Sequence, residues 1–206
     1  MGNQAANFSV GANIGMIFMM AAEQEYDELN MAIKYFQDSM MRMRYSSIPT
    51  ISAPHGMALG GGCELSLHSD HIQAHGELYM GLVEVGVGLI PAGGGTKEMT
   101  LRFSNSLIEG DVEVNQLQEY FMNIATAKVS TSAAEAKALG YLRKDDGITI
   151  NRKRQLADAK AKVLDLFAAG YTQPIQQTNI KVLGKTSLAL FEAGITGMRY
   201  GAYISE

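Results

Sequence analysis

The chain has 206 residues, of which 47% are hydrophobic and 18% charged, with 22 Gly and no Trp. This is a globular composition, long enough for one well-buried core and short for two. The 17 Lys and Arg against 21 Asp and Glu give a formal net charge of −4 with no basic stripe, which argues against nucleic acid as a partner.

The single cysteine, Cys63, cannot close an intrachain disulfide and has no Cys or His at zinc-finger spacing, so a reducing compartment is expected. The most apolar stretch, Gly11 to Ala22, has about half the roughly 20 residues that a membrane-spanning helix needs, so no span is expected. None of the first 33 residues is Lys or Arg, contrary to a signal peptide, and the expected location is cytoplasmic.

In chain order, the sequence opens in a glycine-containing apolar loop with no strand or helix pattern before it. Between Glu23 and Arg44 the apolar positions Leu29, Ile33, Phe36, Met40 and Met43 recur at steps of 4, 3, 4 and 3, which predicts an amphipathic helix. Pro49 biases Ile48 toward extended backbone, and Thr50 to Ala53 reads as a short buried strand. Gly60-Gly61-Gly62 allows a tight turn, after which a helix begins near Gly61 or Gly62. His71 to His75 is a second strand, and the Gly93-Gly94-Gly95 turn leads into a helix from Thr96 to about Phe103. Strands alternating with helices indicate an α/β fold.

The second half reads as mostly helical. Ser132-x-x-Glu135 has the form of a capping box before Ala136 to Leu139, with Gly140 placed to stop that helix. A longer helix is predicted over Arg152 to Ala169, a linker over Gln173 to Thr178, and a final helix over Lys185 to Ile204.

Glu64 stands in the first turn of the helix after the glycine turn. Backbone N–H groups there lack intrahelical acceptors and the helix dipole adds positive charge, so the turn can hold an anion or a developing oxyanion. The same glycines can equally serve tight packing, with Glu64 complementing the dipole. Glu84 is the only ionisable group after Tyr79 in the run to Ile90, and burial of that run would raise its carboxyl pKa. Two carboxylates facing one pocket can divide the handling of a water and of a carbon-bound proton.

Other chemistries are weaker. His68, His71 and His75 are spaced by 3 and 4, but Ile72-Gln73-Ala74 reads as strand, so no metal site is expected. Ser66 and Ser69 lack a nucleophile elbow and Cys63 lacks a convincing His partner. No Gly-x-Gly-x-x-Gly occurs, so the dinucleotide fingerprint is missing.

At three places in order the chain resembles the crotonase superfamily, specifically its enoyl-CoA hydratases. Phe8-Ser9-Val10-Gly11-Ala12-Asn13 is similar to the family's Phe-Ser-x-Gly-Ala-Asp segment, and Pro54 to Leu65 to its signature turn and helix. Glu84 to Gly95 resembles its Pro-Glu-x-x-x-Gly-x-x-Pro-Gly-x-Gly-Gly-Thr segment, and Glu64 and Glu84 stand 20 residues apart, as the hydratases' two glutamates do. Asn13 replaces the family's Asp, Gly15 a common Lys, and Val83 the Pro before the second glutamate.

The resemblance implies an α/β crotonase-like fold of stacked ββα units. It also implies an oxyanion hole from the N–H groups of Ala12 and Gly61, a base at Glu64 for the water adding at C3, and Glu84 handling the proton at C2. Gly11, Gly62 and Pro91 are the further substrate-binding residues it implies. Coenzyme A would enter as part of an acyl-CoA substrate, with no metal or other cofactor in this segment.

The family's fold has several strands before Phe8, so the sequence reads as a piece lacking its N-terminal strands: a partial catalytic core over 1–145 and a helical C-terminal region over 146–206. The tail is similar to the end region of proteins that fuse a 3-hydroxyacyl-CoA dehydrogenase to a hydratase, which would leave NAD to the absent half. The expected associations are a homo-oligomer or docking to the rest of a parent chain. Competing expectations are a catalytically inactive binding or assembly module, and isomerase chemistry on the same scaffold.

Overall fold

In the computed structural model, which describes residues 5–204, most of the apolar stretch Gly11 to Ala22 is a helix, α1 (Ile14–Ala22). Asn13 caps it, its side-chain oxygen accepting from the Met16 N–H at 3.3 Å. None of its residues is buried, and a helix that is apolar on every side has no polar stripe from which a period could be read. The predicted helix after it is α2 (Tyr26–Arg44), with Asp27 and Glu28 in its first turn and Arg42 and Arg44 in its last, complementing the dipole. Of its apolar face only Met40 is fully buried, while Phe36 is half-buried.

Two consecutive strand-strand-helix units form the centre. The first is β1 (Ile51–Ser52), β2 (Gly56–Leu59) and α3 (Gly61–His68). The second is β3 (His71–His75), β4 (Leu78–Gly81), a 3-10 turn (Glu84–Val87) and α4 (Gly95–Ser106). The units stack in parallel register, Ile51 opposite His71 in one sheet and Gly56 opposite Leu78 in the other. Ser9 extends the second sheet by a parallel bridge to Ala58, with the Phe8 N–H donating to His55 O and the Leu59 N–H to Ser9 O. That pairing carries the Phe8 to Ala12 segment to the N-terminal end of α3.

Between the layers lie Ala58, Cys63, Leu67, Ile72, Leu78 and Met80, all fully buried. The far end of α3 is closed by two guanidiniums, Arg102 and Arg143 each donating to the Leu67 carbonyl at 3.3 Å. Positive groups there complement the helix dipole and hold the axis on which Glu64 rides.

The helix α5 (Glu113–Ala125) was not anticipated, although Leu117, Phe121 and Ile124 carry helical spacing. After it come α6 (Ala133–Ala138), β5 (Gly147–Thr149), α7 (Gln155–Ala168) and α8 (Gly184–Tyr200). Although β5 lies beyond residue 145, it pairs in parallel with β3, and Asp146 Oδ1 accepts from the Ile72 N–H at 2.8 Å. Phe121 and Phe191 stack at 4.7 Å between ring centres, joining α5 to α8. No helix among the described residues is long and apolar enough to cross a membrane.

Candidate active site

Gly61 is the first residue of α3, so its N–H has no intrahelical acceptor and points out of the helix end. Gly11 lies against it with φ of +90°: a Cβ there would stand 3.0 Å from Gly61 N and 3.1 Å from Leu59 O. The missing side chain lets the exposed Ala12 loop close onto the helix end. Gly62 is buried behind it, where a Cβ would meet Ser9 O at 2.6 Å, so its role in the observed packing is to admit the Ser9 strand.

One turn into the helix, Glu64 is 3% exposed. Its Oε1 accepts from the Gly95 N–H at 2.9 Å. Burial raises its carboxyl pKa, and the N–H groups of Gly95 and Gly93 oppose that rise. The Gly93-Gly94-Gly95 turn is therefore part of the site: it holds the carboxylate by backbone donors. Pro91, also buried, packs within 2.8 Å of where a Gly95 Cβ would be.

Glu84 opens the 3-10 turn, and its Oε1 lies 3.2 Å from where a Gly60 Cβ would be, beside the N-terminus of α3. Its buried Oε2 has no hydrogen-bond partner among the described residues. Burial, reinforced by the charge of Glu64 and opposed by the N–H groups of Glu84 and Val83, pushes its pKa up to about 7. The geometry thus gathers Ala12, Gly61, Glu64 and Glu84 around one helix end, with Pro91 and Gly95 behind Glu64.

The remaining polar side chains of α3 are occupied structurally. Ser66 Oγ donates to the Gly62 carbonyl at 3.0 Å, and Ser69 Oγ to the Ser66 carbonyl at 2.7 Å. The Cys63 thiol is fully buried, and burial raises its pKa well above the ordinary range. His68 Nδ1 is 2.7 Å from the Glu64 carbonyl, while His71 and His75 lie on β3.

Two features escaped the sequence reading. Phe36 of α2 reaches the site: its Cζ is 3.3 Å from where a Gly61 Cβ would be, and its ring would collide with any side chain at Gly93. The second is Glu98 of α4, 1% exposed, which meets Lys97 Nζ at 2.8 Å, Arg44 Nε at 3.5 Å and His68 Nε2 at 3.8 Å. Burial works to raise its pKa, but Arg44 and Lys97 outweigh it and hold the carboxyl below its ordinary value. The cluster ties the end of α2 to α3 and α4. Phe36 was visible in sequence only as one position of an apolar face, which carries no information about its neighbour.

Residues 2–140 match the family described as enoyl-CoA hydratase/isomerase. The chain is 43% identical over 205 residues to a probable 3-hydroxyacyl-CoA dehydrogenase of Bacillus subtilis, all of this chain aligning with 26% of that protein. It is 44% identical over 99 residues to a putative fatty acid oxidation complex trifunctional enzyme of Rickettsia felis, 48% of this chain and 14% of that one. The chain therefore spans about a quarter, or less, of the length of these curated relatives. Among solved structures, an enoyl-CoA hydratase from a Polaromonas species superposes with a TM-score of 0.61 at 18% identity, covering 97% of this chain and 73% of that one. One from Shewanella pealeana gives 0.60 at 19%, covering 98% and 69%. These superpositions bear out the expected α/β crotonase-like fold.

Proposed function

Because the chain belongs to the enoyl-CoA hydratase/isomerase family, we propose that its site hydrates 2-enoyl-CoA thioesters in fatty-acid β-oxidation, as part of a longer protein that also carries 3-hydroxyacyl-CoA dehydrogenase activity. The observation that carries this reading is a pair of carboxyls at the open N-terminus of α3, the buried Glu64 and the half-buried Glu84 with its Oε2 buried.

In this mechanism the thioester oxygen accepts from the N–H groups of Ala12 and Gly61, which draws electron density from C3 and stabilises the enolate. Removing one such donor typically costs about 10² to 10³ in rate. Glu64, ionised and oriented by the Gly95 N–H, takes a proton from water as its oxygen bonds to C3. Glu84, protonated near neutrality, gives its proton to C2. Each turnover leaves Glu64 protonated and Glu84 ionised, and exchange with solvent restores the pair. The addition is redox-neutral, and coenzyme A takes part only as the thiol half of the thioester, which stays attached throughout. The division of labour between the glutamates rests on family resemblance, and their burial and placement support it.

The test is the loss of the conjugated enoyl absorbance of a 2-enoyl-CoA, with chromatography of the product. Appearance of the 3-hydroxyacyl-CoA is expected, with loss of about 10³-fold or more in Glu64→Gln and Glu84→Gln. Unaltered turnover in those variants would sink the assignment, and a shifted double bond without water uptake would make the chemistry isomerisation.

A further inference from the structure

The point beside Gly93 that a Cβ would occupy is contested by two groups at once, the Phe36 ring edge and Glu64 Oε2. Both lie within van der Waals range of that single point, so the ring of α2 and the carboxylate of α3 are neighbours across Gly93. The same ring reaches Gly61, 3.3 Å from that residue's Cβ position. We propose that Phe36 is a further wall of the site, an aromatic cover that shields the Glu64 carboxyl from water on the α2 side.

The placement of the ring is fixed by contacts along the C-terminal half of α2. Next to Phe36, Gln37 Nε2 donates to the Ala92 carbonyl at 2.7 Å, clamping the helix to the segment that leads into the glycine turn. Two turns further on, Arg44 faces the buried Glu98 at 3.5 Å, and Lys97 donates to Met41 Sδ at 3.3 Å. With these anchors in place the helix cannot rotate Phe36 away from Gly61 without breaking a polar contact.

Covering one side of a carboxylate with hydrocarbon removes water that would stabilise its charge. The Glu64 carboxyl has two fixed donors, Gly95 and Gly93, so its remaining exposure depends on what lies over Oε2. Glu84 faces it from the 3-10 turn. His68 lies further along its own helix and brings in Glu98, Lys97 and Arg44 from α4 and α2, with Cys63 adjacent. None of these groups is changed by altering Phe36. Shielding therefore has a signature of its own: replacing the ring lowers the midpoint at which Glu64 ionises.

The proposal rests on the hydratase reading for its catalytic meaning, but its test uses no turnover. The ligand-free 206-residue chain is labelled with 13C-glutamate, the Glu64 carboxyl resonance is assigned by its loss in Glu64→Gln, and its titration is followed by NMR. Phe36→Ala is expected to lower the Glu64 midpoint by about half a pH unit or more, and Phe36→Leu, which keeps apolar cover, by clearly less. If Phe36→Ala fails to fold, Phe36→Gln brings a polar group to the same place and is expected to give the same lowering. A midpoint unmoved by Ala or Gln, or moved as far by Leu, overturns the shielding role. A lowered midpoint in a chain that does not hydrate enoyl-CoA leaves the wall standing and removes the proposed function instead.

Discussion

Glu64 Oε1 accepts a hydrogen bond from the Gly95 N–H at 2.9 Å, across 31 residues of sequence. That one bond joins the two glycine turns of the chain: the first starts the helix carrying the glutamate, and the second orients its carboxylate. A side chain in the second turn should therefore act on the first. At Gly93 a Cβ would collide with both the Phe36 ring and Glu64 Oε2. With Oε1 tied to Gly95, Glu64 can only rotate as a whole. Gly93→Ala is expected to lower kcat/KM by about 10²-fold, the usual effect of a misplacement near 1 Å, with an unchanged circular dichroism spectrum. Gly194→Ala on α8, where nothing lies within 4 Å, serves as the neutral control.

The two carboxyls predict the shape of the pH profile. The proposed hydration has Glu64 ionised and Glu84 protonated. Glu84 holds its proton to about 7, so kcat/KM should fall tenfold per unit above that pH. The acid limb should lie above the ordinary carboxylate range, because burial raises Glu64. The two limbs belong to the interacting pair. Measured pH dependence of kcat/KM checks this, and Glu84→Gln should abolish the alkaline limb in whatever activity is left.

The same burial has a cost in stability with a definite sign. The folded pKa of Glu84, about 7, lies above the ordinary glutamate value of 4.5. Between those values the folded chain binds more protons than the unfolded one, so stability falls as pH rises through that window. Glu84→Gln removes the penalty. After discounting for partial exposure, it should stabilise the chain by about 1 to 2 kcal/mol at pH 8 and by almost nothing at pH 4.5. Thermal melts at the two pH values decide it, and a stabilisation confined to the acid side would contradict the assignment.

What was legible in sequence follows from which features are local. The strand His71 to His75 has the predicted bounds, because a turn ends it on either side, and α3 starts where the glycines permit. The capping box at Ser132 was half right. Ser132 Oγ accepts from the Glu135 N–H at 3.1 Å, but Glu135 Oε2 takes the Thr131 N–H at 2.7 Å rather than returning to Ser132. The choice between two adjacent donors depends on backbone direction before the helix. The order of the three motifs carried the fold and the candidate glutamates, whereas α1, with no buried face, left no period to read. Phe36 and Glu98 were out of reach for another reason: each matters through a neighbour on a distant segment, and a single sequence records residue types rather than contacts.

Gln155 is the least conspicuous of these long-range residues. It is fully buried at the start of α7, and its Nε2 donates to Pro54 O and to Gln73 O, each at 2.8 Å. Pro54 is the corner between β1 and β2, and Gln73 lies on β3, so one amide bridges the two stacked units. Gln155→Ala removes both donors without adding charge, and about 2 to 3 kcal/mol of destabilisation is expected for buried carbonyls that lose a partner. Gln155→Glu should cost more near neutrality, because it sets a fully buried carboxylate against two carbonyl oxygens, with Arg152, 2.9 Å from Oε1, to offset part of the charge. Its folded pKa must then be raised, so the excess cost over Ala should shrink as pH falls toward 4.5 and the acid regains a donor proton. Urea unfolding of both variants at pH 7.5 and pH 5 distinguishes this from a simple loss of packing, which would make the two variants differ by the same amount at both pH values.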